Sequence, residues 1–249
     1  MNESVSPIRL RLRKFRRLKR GYYSFLLLAG LYILSWFNVF LINNKALVVR
    51  YEGEFYFPVF RFYLAETFGQ THAHGERNLG ECDYRELKRQ FAAAGEGNWV
   101  LLPPYPFHPN ETLLHLPGSP PQGPTYKNWL GTDDRGRDIF ARLAYGFRTS
   151  MTFALAVTLM SYVLGTMVGA VLGYFGGNFD IFGQRLVEIW TGVPFLYTVI
   201  ILSSIFLPNF LMLTILLTLF HWMRISRYVR GEFFREKSKN YVAAARAIG

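Results

Sequence analysis

Few side chains in this sequence have the types and spacing that catalysis or metal binding requires. His72 and His74 alternate as zinc-binding histidines can, but no closely spaced third ligand accompanies them, so we expect solvated histidines and no metal. Cys82 is the sole cysteine, which excludes an internal disulfide and gives no redox pair. The glycine-rich turn 173–180 lacks the Gly-Lys-Ser/Thr ending of a phosphate-binding loop, so we expect no nucleotide on it.

A stretch of small residues indicates a different function, which is docking on another protein. Residues 231–249 form an amphipathic segment that ends in an alanine-rich helix. A helix with so little side-chain bulk can press its backbone into a groove on a partner. Tyr241 adds a large anchor beside it. The candidate docking residues are Tyr241, Ala243, Ala244, Ala245 and Gly249.

The elements that must position this segment are apolar blocks. About half of the residues are apolar, and a helix needs roughly 20 consecutive apolar residues to cross the hydrocarbon layer. The uncharged run Ile189–Met223 is too long for one ordinary span, and Pro208-Asn209 divides it. We therefore predict an all-α membrane protein with four transmembrane helices, at residues 22–43, 149–174, 186–207 and 210–225.

Charge predicts the orientation of these helices. The net charge of +11 is concentrated in a basic arm, residues 1–21, and in the segment 226–249, which is how cytoplasmic loops look. Four crossings place both ends on the same side, in agreement with that charge. The basic arm has a second interpretation, nucleic-acid binding, which we reject because an apolar span follows it at once.

The long segment 44–148 then lies outside the membrane, as an irregular α+β extracytoplasmic insertion between helices 1 and 2. Short strands are expected on both sides of Glu52-Gly53. A helix is expected over 83–94, with Asp83 as its N-cap. Residues 103–124 contain eight of the twelve prolines, which favours extended or irregular chain.

Five residues within the predicted spans have candidate roles. Gly165, Gly169 and Gly173 repeat every four residues, which puts them on one helix face and lets another helix approach closely. Pro194 is expected to kink the third span and is a possible pathway element. Glu188 has two interpretations of equal weight, a carboxylate that lines a polar path or an interface residue paired with Arg185.

The segment 241–249 resembles the "EAA" loop of binding-protein-dependent ABC importer permeases. Ala244, Ala245 and Gly249 match that motif, and Ala243 stands where the family usually has glutamate. The resemblance implies that the segment is a coupling helix that docks on a cytoplasmic ATPase. ATP and Mg²⁺ would bind on that partner, so this chain would bind no cofactor and would not be an enzyme.

Upstream segments extend the resemblance over nearly the whole chain. Residues 129–138 and the turn 173–180 are similar to the C-type permease of dipeptide and oligopeptide importers, and segments at 47–51 and 56–58 are similar to the Yej-type importers of microcin C and peptides. The resemblance implies a multi-pass inner-membrane protein with six spans, of which four are present, so we expect a C-terminally truncated chain. The implied partners are a B-type permease subunit, the ATPase, a periplasmic substrate-binding protein and the lipid bilayer, with no nucleic acid.

Two other function classes remain as alternatives. A channel or secondary transporter without an ATPase would need charged or broken helices near mid-membrane, and only Pro194 points to that. A membrane-anchored periplasmic interaction protein, acting through 45–147, would leave the alanine-rich segment without a purpose. Co-purification of a nucleotide-binding subunit distinguishes the three.

Overall fold

The computed structural model of the chain describes residues 6–70, 80–95, 97–113, 116 and 118–248. The chain forms two compact units, residues 1–149 and 150–249. In chain order the helices and strands are α1 (Pro7–Arg17), α2 (Lys19–Ser35), α3 (Asn38–Leu41), β1 (Val48–Tyr51), β2 (Glu54–Tyr56), a short 3-10 helix (Ala65–Phe68), α4 (Tyr84–Ala94), β3 (Trp99–Leu101), α5 (Ile139–Phe175), α6 (Gly177–Thr191), α7 (Phe195–Ile205), α8 (Phe210–Lys237) and α9 (Asn240–Ile248).

A small antiparallel sheet with the order β2-β1-β3 lies in the first unit. The hairpin β1–β2 turns at Glu52 and Gly53, whose φ angles of 52° and 87° suit a tight two-residue turn. The predicted strands around these two residues are confirmed. The sequence did not predict the third strand, β3, which pairs with β1 across the register Val49↔Val100.

Helix α4 packs on this sheet and confirms the helix predicted for residues 83–94. The Asp83 carboxylate accepts hydrogen bonds from the backbone N–H groups of Arg85 and Glu86, at 3.0 and 3.1 Å. These bonds satisfy two of the donors that a helix start leaves free. Gly95, at φ 68°, ends the helix in the left-handed conformation. The buried core between helix and sheet consists of Ala46, Val49, Ala65, Phe68, Cys82, Tyr84, Leu87, Phe91 and Val100.

The first apolar block, predicted as one span over 22–43, forms two helices in the structure. Helix α2 ends at Ser35, whose hydroxyl donates to the carbonyl of Tyr32 at 2.6 Å and competes with the helix ladder. The short α3 follows, and the Asn38 side chain donates to the carbonyl of Ala144 in α5 at 3.0 Å. This contact fixes the end of the block against α5.

Helix α5 begins at Ile139, ten residues before the predicted span start at 149. The cause is Asp138, which is fully buried and accepts a hydrogen bond from the backbone N–H of Ala141 at 2.7 Å. The same carboxylate accepts from the hydroxyl of Tyr105 at 2.8 Å and from the amide of Asn128 at 2.9 Å. The residues that hold this helix start are 10 and 33 positions away from Asp138 in the sequence. Local hydropathy therefore does not predict where α5 begins.

The third predicted span, 186–207, is broken and not merely kinked. Helices α6 and α7 meet at 68° across Gly192-Val193-Pro194. Pro194 has no N–H to donate, and its ring disfavours helical backbone in the residue before it. The fourth span continues as α8 to Lys237, twelve residues beyond the predicted end at 225.

Among the described residues, two helices are long and apolar enough to cross a membrane, α5 and α8. The bent pair α6 and α7 makes a third if it crosses as one span. Helix α2 has only 17 residues, although its surface is apolar, with Leu26, Leu27 and Leu28 all exposed. The chain is therefore helix-rich, with two to three apolar helices of membrane-spanning length.

The lone cysteine should be unreactive in the folded protein. Burial, with added repulsion from Asp83 and Glu81, raises the pKa of the Cys82 thiol to about 12. Since the thiolate is the nucleophile, its fraction at neutral pH falls roughly a thousandfold relative to an ordinary cysteine. We expect no maleimide adduct at neutral pH in the native chain and complete reaction in denaturant, measured as a mass shift. Rapid labelling of native protein would contradict the burial of Cys82.

Candidate functional site: the α8–α9 corner

Helix α9 presents the predicted docking residues at the surface. Ala243, Ala244 and Ala245 are exposed, and Tyr241 is 61% exposed. Gly249, the last predicted docking residue, lies outside the described residues. An exposed row of alanines has nothing that keeps a partner's backbone at a distance, so this surface can enter a narrow groove.

The corner between α8 and α9 is held by one carboxylate. Glu236 accepts a hydrogen bond from the ammonium of Lys239 at 2.6 Å and another from the hydroxyl of Tyr241 at 2.8 Å. Ser238 caps α8, and the Lys239 carbonyl accepts the N–H of Val242 at 3.0 Å as α9 begins. Tyr241 therefore sets the direction of α9 through its hydroxyl while its ring stays exposed.

The end of α8 is also tied to the end of α5. The ammonium of Lys237 donates to the carbonyls of Tyr174 and Gly173, at 2.6 and 3.5 Å. These carbonyls lie in the last turn of α5, where no intrahelical partner remains for them. A cation at a helix C-terminus also complements the helix dipole. The contact joins the docking corner to the last turn of α5.

A carboxylate–guanidinium pair joins α6 to α8. Asp180 accepts from the Nε and Nη2 atoms of Arg230, both at 2.5 Å, and its side chain is 8% exposed. Two parallel bonds between a fork and a carboxylate are a strong, geometrically specific arrangement. Arg230 also lies over the ring of Phe234, 4.7 Å from its centroid. Sequence reasoning missed this pair, although Asp180 is one of only two acidic residues between 148 and 223.

The predicted glycine face lies directly against α8. A Cβ atom added to Gly165 would lie 2.6 Å from the carbonyl oxygen of Trp222. One added to Gly169 would lie 2.5 Å from the oxygen of Ser226, and one added to Gly173 would lie 2.5 Å from Cβ of Phe233. Such distances are shorter than any real contact, so the two helices meet backbone to backbone.

The two candidate pathway residues, Glu188 and Pro194, have different surroundings in the structure. Glu188 forms an ion pair with Arg185 at 2.7 Å, and both side chains are mostly exposed, which favours the interface interpretation over a polar path. Pro194 borders a cleft of about 620 Å³ that α5, α6, α7 and α8 line together. The hydroxyl of Ser161 faces the same cleft region, is buried, and has no hydrogen-bond partner among the described residues. A pathway role for Glu188 and Pro194 stays a prediction.

The histidine positions add no metal site among the residues that the structure describes, where no group of three possible ligands occurs. His72 and His74 lie outside those residues, so the expectation for them stays a prediction. Burial, with repulsion from Lys45, lowers the pKa of His108. That shift favours a neutral side chain, which accepts the N–H of Asn110 at 3.3 Å.

Comparisons with known proteins identify a family for this chain. Residues 165–249 match the family model described as "Binding-protein-dependent transport system inner membrane component". The chain is 39% identical to the inner membrane ABC transporter permease protein YejE of Escherichia coli over 98% of its length and 70% of that protein. It is 35% identical to the peptidoglycan transport system permease protein YejE of Agrobacterium fabrum, over 96% of this chain and 67% of that one.

A more distant relative matches half of the chain. The dipeptide transport system permease protein DppC of Bacillus subtilis is 35% identical over 51% of this chain and 39% of its own length. The family model covers the end of α5 and extends through α6, α7, α8 and α9, so it includes the α8–α9 corner.

Proposed function

This chain belongs to the family of inner-membrane permease subunits of ABC peptide importers, and from that premise we propose that its α8–α9 corner couples a partner ATPase to peptide movement. The chain is a transport component and not an enzyme. In this proposal ATP and Mg²⁺ bind on the ATPase, and the chain supplies part of the pathway wall and the docking helix. The substrates are oligopeptides or peptide-like compounds, of which microcin C is one candidate.

The observation that supports coupling is an exposed docking helix on a firmly held base. Ala244 and Ala245 are exposed, while Glu236 and Lys237 hold the corner through four hydrogen bonds. A docking helix on a flexible tether would move without moving the membrane helices. Because this corner is joined to α5, a displacement of α9 is passed on to the bundle.

The proposed motion is alternating access. ATP binding closes the ATPase pair, and α9 follows its groove as a nearly rigid body. Helix α8 moves with it, and the Asp180–Arg230 pair carries the movement to α6. The break at Pro194 separates α6 from α7, so the two halves of that span can change their angle while the pathway opens on the other side.

The proposed topology has four crossings, with α2–α3 as the first and the bent pair α6–α7 as the third. The N-terminal basic arm and α9 are then cytoplasmic, and residues 44–148 are periplasmic. The distribution of positive charge supports this orientation. A B-type permease completes the pathway, and a periplasmic binding protein delivers the peptide.

A bulky side chain on the docking face tests the proposal. In the assembled transporter, Ala244→Trp should lower peptide-stimulated ATP hydrolysis and peptide uptake by about tenfold or more, because the indole separates α9 from its groove and removes roughly 1.4 kcal/mol of docking energy. The measurement is hydrolysis and uptake in proteoliposomes that contain all subunits.

The matched control is Ala93→Trp, which adds the same ring to an exposed alanine of α4. It should leave both activities unchanged. Normal coupling in Ala244→Trp, with the ATPase still bound, would show that α9 is not the coupling element.

A further inference from the structure

A tight turn in the first unit carries three exposed phenylalanines. Phe57, Phe60 and Phe62 are 47%, 75% and 57% exposed. The carbonyl of Phe57 accepts the backbone N–H groups of Phe60 and Arg61, at 3.1 and 3.2 Å, so the turn is closed. We call residues 57–62 the aromatic turn. Three large apolar rings on one short turn are unusual for a surface that meets only water.

The base of the aromatic turn is fixed in the core. Tyr56 and Tyr63, the residues on either side of it, contact each other with ring centroids 5.3 Å apart. Both rings also contact the buried Phe68, at 5.2 and 5.9 Å. Pro58 within the turn is fully buried. The phenylalanines therefore project from a rigid base and cannot withdraw into the core.

The turn lies beside the end of the first apolar block. The ring of Phe60 is 5.9 Å from that of Phe40, which belongs to α3. Helix α3 follows α2 after two residues, and α2 exposes large apolar side chains between Tyr23 and Leu34. The exposed rings of the turn thus continue the apolar surface of α2 and α3.

We infer that the aromatic turn inserts into the interfacial layer of the lipid bilayer, at the level where the first span leaves the membrane. The inference rests on the proposed first span. Aromatic side chains concentrate at this depth, where an apolar ring can be buried while neighbouring polar groups stay wet. The extracytoplasmic insertion is thereby held on the membrane surface at a second point beside the helix itself.

Basic groups beside the rings fit lipid headgroups. The guanidinium of Arg61 lies 5.9 Å from the ring of Tyr63 and is exposed. The ammonium of Lys45 lies 6.0 Å from the ring of Phe62 and pairs with Glu81. Cations on the water side of an apolar patch match the phosphate layer above the acyl chains.

Two other exposed aromatics of the same unit provide an internal contrast. Phe55 and Trp99 contact each other on β2 and β3, and both lie opposite Arg50 in the sheet register. Arg50 is nearer the hairpin turn than Val48, the first residue of β1. The two rings that face Arg50 are therefore displaced toward the hairpin turn, away from the end of β1 that follows α3. They should meet water, although Phe55 is about as exposed as Phe62 and Trp99 is 41% exposed.

Spin-label depth measurements test the inference on the full chain in lipid nanodiscs. On a Cys82→Ala background, labels are placed by Leu27→Cys in α2, Phe60→Cys in the aromatic turn and Trp99→Cys in β3. The ratio of collisions with oxygen to collisions with a water-soluble nickel chelate rises with depth in the membrane. We expect the order Leu27, Phe60, Trp99 from deep to aqueous, with the ratio at Phe60 several-fold above that at Trp99.

The outcomes separate the inference from its premise. A deep label at Leu27 with equal ratios at Phe60 and Trp99 overturns the inference and leaves the first span intact. A label at Phe60 that neither reagent reaches means that protein covers the turn, which also overturns it. An aqueous label at Leu27 overturns the first span and the inference with it. Phe57→Cys must give the same result as Phe60→Cys, which guards against a local effect of one substitution.

Discussion

Gly169→Ala should destabilise the helix bundle and abolish transport, whereas the same methyl group at Gly146 of the same helix should be tolerated. The added Cβ at Gly169 would lie 2.5 Å from the backbone oxygen of Ser226 and 2.9 Å from Cβ of Val229. Neither atom is the flexible end of a side chain, so α5 and α8 must separate. Overpacking of this kind costs about 1–3 kcal/mol, and more where backbone must shift.

The control isolates the clash from the intrinsic effect of alanine. Nothing lies within 4 Å of a Cβ added to Gly146. Alanine there gains about 1 kcal/mol of helix propensity and should stabilise the protein slightly. Thermal unfolding of the purified chain in detergent, followed by circular dichroism, measures both variants. Equal unfolding temperatures for Gly169→Ala and Gly146→Ala would show that α5 and α8 are not in backbone contact.

Asp180→Asn should cost about 3 kcal/mol of folding free energy, because it leaves the guanidinium of Arg230 without its carboxylate in a largely desolvated site. The side chains of Asp180 and Arg230 are 8% and 29% exposed. We expect a lower unfolding temperature in detergent and a loss of coupling between ATP hydrolysis and uptake, since the pair joins α6 to α8. Unfolding is measured on the purified chain in detergent, and coupling is measured on the reconstituted transporter.

Glu188→Gln is the matched control for this ion pair. Its partner Arg185 is 73% exposed, and Glu188 is 59% exposed, so the lost interaction is worth at most about 1 kcal/mol. The double variant Asp180→Leu with Arg230→Leu should recover much of the stability, because it removes the unpaired charge. If Asp180→Asn is no more destabilised than Glu188→Gln, the pair does not hold the bundle together.

Local signals in the sequence predicted those parts of the fold that local chemistry decides. Glu52-Gly53 predicted the hairpin, and Asp83 predicted the start of α4, because a tight turn and an N-cap depend on residues a few positions apart. Glycines at every fourth position predicted a close helix contact on that face. The spacing of the glycines did not identify α8 as the helix in contact, because a row of small residues on one helix carries no information about which helix packs against it.

Contacts between residues that are far apart in the sequence could not be predicted from local sequence patterns. The early start of α5 depends on Asp138, which Tyr105 and Asn128 hold from outside the helix. The Asp180–Arg230 pair joins residues 50 positions apart, and each of them alone has the pattern of an interfacial charge. Strand β3 is three residues long, too short for an alternating pattern to distinguish it from loop.

The length of α5 has a geometric consequence. Its 37 residues make a rod of about 55 Å, against a hydrocarbon layer of about 30 Å. Enclosing the whole rod would need a tilt of nearly 60°, well beyond the 0–40° that membrane helices adopt. Part of α5 must therefore stand in water or among headgroups, and its two arginines, Arg142 and Arg148, both lie in the first ten residues. Those residues can form a solvated stalk, so that no charge of this helix has to enter the acyl chains.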